Sequence, residues 1–181
     1  MRFSQWIVEQ DPSDETLIDR LRLARLQQIT GRYESAYAHY ITLAGMQRVR
    51  GVPVLRADVL WSLVAIGRRL KKVNKANGFL VQMLDTAGAE RHQHFEAAVD
   101  LALQTGKECH ERGEYGMAYE LLRRAARFKA AARVYLAKAA LETGHIDKAG
   151  ELVETLVAQH PDEIEVLLLA MRVNFIKEDR E

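Results

Sequence analysis

The chain has 181 residues, 48% hydrophobic and 28% charged, with 3 prolines and a net charge of +1, which describes one ordinary domain with enough apolar material to build a core. A single cysteine, Cys109, allows no internal disulfide, and no apolar run is long enough for a membrane-spanning helix. The opening MRFSQWIVEQDPSD holds no apolar stretch of signal-peptide length, so a cytoplasmic location is expected.

Residues 1–13 show no sustained period and are expected to be irregular. Leu17, Leu21, Ala24 and Gln28 then set a helical register that runs to Thr30, where Gly31 supplies a left-handed stop. A second helix is predicted over about 34–49, with Ala36, Tyr37, Tyr40, Ile41 and Leu43 inside, and Gly51 and Pro53 end the pair. The third and fourth helices are predicted over about 55–71 and 74–86, closing near Gly88. The fifth and sixth follow over about 91–112 and 115–127, the seventh and eighth over about 130–143 and 146–160. A final segment, 163–177, places Ile164, Leu167, Leu168, Met171 and Phe175 on one apolar side and is expected to cap the core left open by the last hairpin.

Three of these hairpins share a signature: GRYESA at 31–36, GEYGMA at 113–118 and GHIDKA at 144–149. Each has Gly at the turn, Tyr or Ile two residues on, and Ala three further. Helix axes approach to about 8 to 10 Å only where small side chains meet. Such residues stand seven before each turn glycine (Ala24, Gly106, Ala137) and five after it (Ala36, Ala118, Ala149), the expected crossing. The second hairpin keeps Val73, Ala76, Leu80 and Met83 but has Lys71 at the place of the turn glycine.

The signature resembles the tetratricopeptide repeat family over most of residues 17–161. The resemblance implies an all-α fold: a right-handed superhelical solenoid of about four helical hairpins with a C-terminal capping helix, forming a single domain over 1–181. The repeats depart from the family pattern. Arg20, Ala102 and Arg133 stand where it has an aromatic, and only Pro161 survives of its closing prolines.

Charge is segregated along the chain. Eight bases (Arg48, Arg50, Arg56, Arg68, Arg69, Lys71, Lys72, Lys75) meet one acid, Asp58, and six more (Arg123, Arg124, Arg127, Lys129, Arg133, Lys138) meet none. Acids gather at the two ends, with Glu9, Asp11, Asp14, Glu15 and Asp19 at one and Asp162, Glu163, Glu165, Glu178, Asp179 and Glu181 at the other. Two readings follow, solvated helix faces or a basic surface for an acidic partner.

No constellation of catalytic type is present, and no enzymatic activity, cofactor or metal is expected. His92 and His94, read as part of a helix, fall on different faces and lack a third ligand. Cys109 sits on the inner register as a structural thiol, beside His110 but turned away from it. The glycines at Gly106, Gly113 and Gly116 follow no strand and cradle no phosphate.

By the same resemblance, the first helix of each hairpin lines a concave groove for a partner protein or peptide. The offsets give Leu21, Arg25 and Gln28 from the first hairpin and Trp61, Arg68 and Arg69 from the second. They give Leu103, Lys107 and His110 from the third, and Val134 and Lys138 from the fourth, with Ile18, Asp58 and Leu141 among their neighbours. Cations beside apolar residues suit an acidic, partly apolar peptide. Members of the family that clamp a C-terminal carboxylate place asparagine on these helices. Here Asn74, Asn77 and Asn174 lie elsewhere. The expectation is a protein-interaction adaptor or scaffold. The alternatives are nucleic-acid binding through the basic stripe at 48–75, or a structural segment of a longer or self-assembling solenoid.

Overall fold

A computed structural model describes residues 15–179. The irregular segment expected over 1–13, with Glu9 and Asp11, lies outside the described residues, as do Asp14 and Glu181. Among the described residues every regular element is helical, as expected.

Two compact units divide the chain between Phe95 and Glu96. In chain order the first holds α1 (Glu15–Ile29), α2 (Tyr33–Gly45), the short α3 (Gln47–Gly51), α4 (Pro53–Arg69), α5 (Val73–Asp85) and a single 3-10 turn, Ala89–Arg91. Helix α6 (Phe95–Glu111) leads into the second, which continues with α7 (Tyr115–Ala125), α8 (Ala132–Glu142), α9 (Ile146–Gln159) and α10 (Ile164–Glu178).

The hairpins α1/α2, α4/α5, α6/α7 and α8/α9 share one turn. Gly31, Lys71, Gly113 and Gly144 all have left-handed backbone, with φ of 78°, 58°, 78° and 79°. At each, the amide of the left-handed residue bonds the carbonyl three residues back. The next amide (Arg32, Lys72, Glu114, His145) reaches five back, to Gln27, Gly67, Cys109 and Ala140, at 2.8 Å in every case. This double bond pattern satisfies carbonyls that a helix end leaves open. The carbonyls of those same four residues then accept the first bond of the following helix, from Ala36, Ala76, Ala118 and Ala149, at 3.0 Å each. Lys71 therefore adopts the glycine conformation without being glycine, so the second hairpin is a full member of the series.

Three boundaries differ from expectation. The helix predicted over 34–49 breaks at Met46, whose extended backbone (ψ 134°) separates α2 from α3. Pro53 opens α4 as its first residue, where a missing amide donor costs nothing. Residues 91–94 do not belong to the fifth helix. Left-handed Gly88 starts a 3-10 turn instead, and the helix begins at Phe95.

Each unit has its own core. In the first, Ala24, Ala36, Tyr40, Leu43, Leu60, Leu63, Leu80 and Met83 are buried. Gly67 meets Ala76, where an added Cβ would lie 3.2 Å from the alanine Cβ, so these two residues form the α4/α5 crossing. In the second, Ala137, Ala140, Leu141, Ile146, Ala149, Val153 and Leu156 form one cluster with Val166, Leu169 and Val173 of α10. At the crossing of α6 with α7, the atoms nearest to a Cβ built on Gly106 are those of Leu122, nine residues past the turn.

Helix α10 covers the last hairpin as expected, but with the other face. Val166, Leu169 and Val173 are buried, whereas Ile164, Leu167, Leu168, Met171 and Phe175 are exposed by 74%, 41%, 60%, 69% and 65%. The helix is apolar on two sides, so its pattern alone does not choose which one meets α9.

Candidate functional site

In the first unit, Arg25 of α1 reaches Asp58 of α4, Nη2 to Oδ2 at 2.6 Å, which sets the two first helices side by side. One turn along α1, the Oε1 of Gln28 accepts a 3.0 Å bond from the hydroxyl of buried Tyr40. Arg69, in the last turn of α4, donates through Nη1 to the Tyr33 hydroxyl at 3.0 Å, with its guanidinium 5.1 Å from the Tyr33 ring centre. Arg25, Gln28, Ile29, Tyr33 and Arg69 line an open cleft of about 430 Å³. Three residues chosen from the sequence, Arg25, Gln28 and Arg69, thus share one cleft, and Tyr33 and the exposed Ile29 supply its apolar walls.

The other choices in this unit lie elsewhere. Leu21 and Arg68 are half-buried, and Ile18 is part of the core at 5% exposure. Trp61 stacks on His94, ring centres 5.5 Å apart and planes inclined by 22°. His92 and His94 follow the 3-10 turn and so are not held on separate helix faces. Their rings stand 5.5 Å apart. The Nδ1 of buried His92 accepts a 3.3 Å bond from the His94 amide, while its Nε2 lies 3.6 Å from Asp58 Oδ1. A neutral ring carrying its proton on Nε2 satisfies both contacts. Burial holds the His92 pKa below its ordinary value and outweighs the opposing pull of Asp58. Asp58 is therefore a node between Arg25 and His92, a role that no spacing along the chain announces.

In the second unit, Tyr135 of α8 lies under two lysines. Lys107 Nζ of α6 is 4.3 Å from its ring centre and Lys138 Nζ 5.3 Å. Lys138 also pairs with Glu165 of α10, Nζ to Oε1 at 2.5 Å, and Glu142 pairs with Arg172 at 2.9 Å. Helix α10 thus takes a place in the row of first helices. Leu103 and Val134 are half-buried beside this row, and Leu141 is core at 6% exposure. The rings of His110 and Tyr115 meet at a steep angle with centres 5.3 Å apart, and burial lowers the His110 pKa. Cys109 is buried, and its burial raises the thiol pKa. Tyr135 escaped the sequence reading because it falls between the chosen offsets. A tyrosine three residues before a groove lysine is the signal that was available.

The two basic runs are not continuous charged strips. Acids absent from the second run along the chain meet it in space: Arg123 and buried Arg124 pair with Glu120, and Lys129 pairs with Asp100 at 3.0 Å. In the first run, Lys72 pairs with Glu34 at 2.7 Å and covers the Tyr37 ring at 4.6 Å. The side chain of Arg48 lies outside the described residues. Among the described residues no group of three or more His, Cys, Asp or Glu is placed to hold a metal, and no helix is long and apolar enough to cross a membrane.

The tetratricopeptide repeat family matches residues 110–171, from the end of α6 into α10. That segment is similar to a tetratricopeptide repeat. Its two turns, at Gly113 and Gly144, are the ones whose geometry recurs at Gly31 and Lys71. Among solved structures, the TPR-like repeats of a candidate kinesin light chain from Podosopora anserina are similar at 19% identity. They cover 94% of this chain and 91% of that one, with a TM-score of 0.41. A singly substituted form of those repeats is similar at 18% identity, covering 94% and 92%, also at 0.41. No curated protein matches the chain.

Proposed function

We propose that this chain is a non-catalytic protein-interaction module, acting as one repeat domain of adaptor or scaffold type, and that it binds an acidic, partly apolar peptide along its first helices. The observation that carries the reading is the cleft in which Arg25 and Arg69 stand beside Ile29 and Tyr33. Two guanidiniums over an apolar floor provide forked donors for carboxylates together with area for a hydrophobic side chain. In the second unit, Lys107 and Lys138 over Tyr135 repeat the theme of cation on aromatic. Nucleic-acid binding through 48–75 is the weaker reading, because Lys72 is already paired with Glu34 and Trp61 is the single aromatic interleaved with these cations.

The test compares charge reversals on the two sides of the hairpins. Arg69→Glu and Lys107→Glu are expected to abolish capture of the partner from native extract, while Arg123→Glu with Arg127→Glu, on or just past a second helix, leaves it intact. Each desolvated charged contact removed costs about 2 to 5 kcal/mol. Capture lost with the Arg123 and Arg127 pair but kept with the other two overturns the assignment to the first helices.

A further inference from the structure

Ile164, Leu167, Leu168, Met171 and Phe175 recur at helical spacing and form one exposed stripe along the whole of α10. Most exposed apolar residues in a soluble protein are scattered singly, whereas five in a row on one helix mark a contact surface. The fold explains where the stripe comes from. Through Lys138 to Glu165 and Glu142 to Arg172, α10 stands next to α8 as a further first helix. Its buried side, Val166, Leu169 and Val173, meets the preceding second helix α9. The stripe is on the opposite side, where a first helix receives its own second helix, as α8 receives α9 against Ala137, Ala140 and Leu141. No such helix follows α10 among the described residues.

We propose that this position is filled by α10 of a second copy of the chain, paired antiparallel about a twofold axis near Leu168 and Met171. Three features favour a copy of itself. The stripe is close to symmetric end for end, with large residues at both ends (Ile164, Phe175) and Leu167, Leu168 and Met171 between, so that antiparallel pairing sets Ile164 against the partner's Phe175 and Leu168 against the partner's Met171. The charges on its borders do not conflict. Glu165 and Arg172, seven residues apart, border the stripe on the same side, so the twofold sets Glu165 near the partner's Arg172, and both are already paired within their own unit. Finally, five such side chains offer on the order of 500 Å² per copy, so two copies bury on the order of 1,000 Å², the size at which specific interfaces begin. A closed pair of this kind also consumes the apolar face without leaving a new one exposed, unlike open end-to-end growth.

Sedimentation equilibrium of the full chain tests the pairing. The wild type is expected to be a dimer, and Leu168→Arg or Met171→Glu is expected to raise the dissociation constant by at least about tenfold, as removal of a central anchor does. Helicity by circular dichroism should be unchanged, because both side chains are exposed. Orientation is read by cross-linking, since Cys109 is buried and does not compete. Ile164→Cys mixed with Phe175→Cys should give a disulfide-linked heterodimer, and Ile164→Cys alone should not link. A monomeric wild type, a dimer indifferent to Leu168→Arg, or self-linking of Ile164→Cys each overturns the proposal. Peptide binding by the first helices is measured separately and stands or falls on the Arg69 and Lys107 variants.

Discussion

Gly106 of α6 lies directly against Leu122 of α7: a Cβ built on Gly106 would stand 2.7 Å from Leu122 Cγ and 2.9 Å from its Cδ2. Both residues are buried. The closest approach of the two helices is thus set by the absence of a single methyl group. Gly106→Ala is expected to overpack this crossing at a cost of about 1 to 3 kcal/mol, read as a lower urea midpoint with an unchanged slope. Leu122→Ala removes the Cγ that the new methyl would meet, so Gly106→Ala should cost less in that background than in the wild type. If Gly106→Ala melts like wild type, the helices do not approach as described.

Ala118→Leu probes the neighbouring position, where the side chain is also fully buried. The added volume is expected to cost about 1 to 3 kcal/mol. Thermal unfolding followed at 222 nm checks it, and an unshifted midpoint would show that Ala118 faces open space.

Lys71 carries the opposite prediction. It holds φ at 58° in a turn where the other three members are glycine. For a residue with a Cβ this conformation costs about 1 kcal/mol, so Lys71→Gly is expected to stabilise the first unit by about 0.5 to 1 kcal/mol. Gly113→Ala, at the matching turn of α6/α7, should lose a similar amount. Loss of stability in Lys71→Gly would mean that the lysine side chain contributes more than its backbone costs.

The turns were the most legible part of the fold. Glycine two before Tyr or Ile and five before Ala is a local requirement of one backbone shape, and sequence spacing records it directly. At the second hairpin the spacing located the turn at Lys71, but a lysine signals charge and does not announce a left-handed backbone. The buried face of α10 was not legible either, since Val166, Leu169 and Val173 form as good a stripe as Ile164, Leu168 and Phe175, and only the shape of α9 decides between them. In the candidate site, Arg25, Gln28 and Arg69 followed from helical offsets. Asp58 as the partner of both Arg25 and His92 did not, because that contact joins segments 33 or more residues apart. Of the acids that meet the basic run from Arg123, Glu120 stands one turn back on the same helix, whereas Asp100 reaches Lys129 only through the fold.

His92 makes the stability of the first unit depend on pH. Its pKa in the folded chain lies below the ordinary 6.5 because it is buried, so above that value neither the folded nor the unfolded chain carries the proton. As pH falls through 6.5, the unfolded chain takes up a proton that the folded chain refuses, and stability declines. The urea midpoint is expected to drop between about pH 7.5 and about pH 5, and His92→Gln should flatten part of that slope. His110, whose pKa is lowered by burial too, contributes with the same sign in the second unit. A slope unchanged by His92→Gln would show that the ring is protonated without cost, with Asp58 rather than burial in control.

Tyr135 is the last test, because it asks whether the two lysines over its ring act through it. Lys107 and Lys138 lie 4.3 and 5.3 Å from the ring centre, from two different helices, and each such contact at a partly exposed site is worth about 0.5 to 1 kcal/mol. Tyr135→Leu keeps most of the apolar volume and removes the negative face of the ring. It is expected to cost about 1 kcal/mol, and Lys107→Met to cost about 0.5 kcal/mol in the wild type but nothing further in the Tyr135→Leu chain. The coupling in this double-mutant cycle measures the contact free of the separate effects of each change. Strict additivity would mean that Lys107 and Tyr135 are neighbours without an interaction, and the aromatic platform would then have no part in presenting the lysines to a partner.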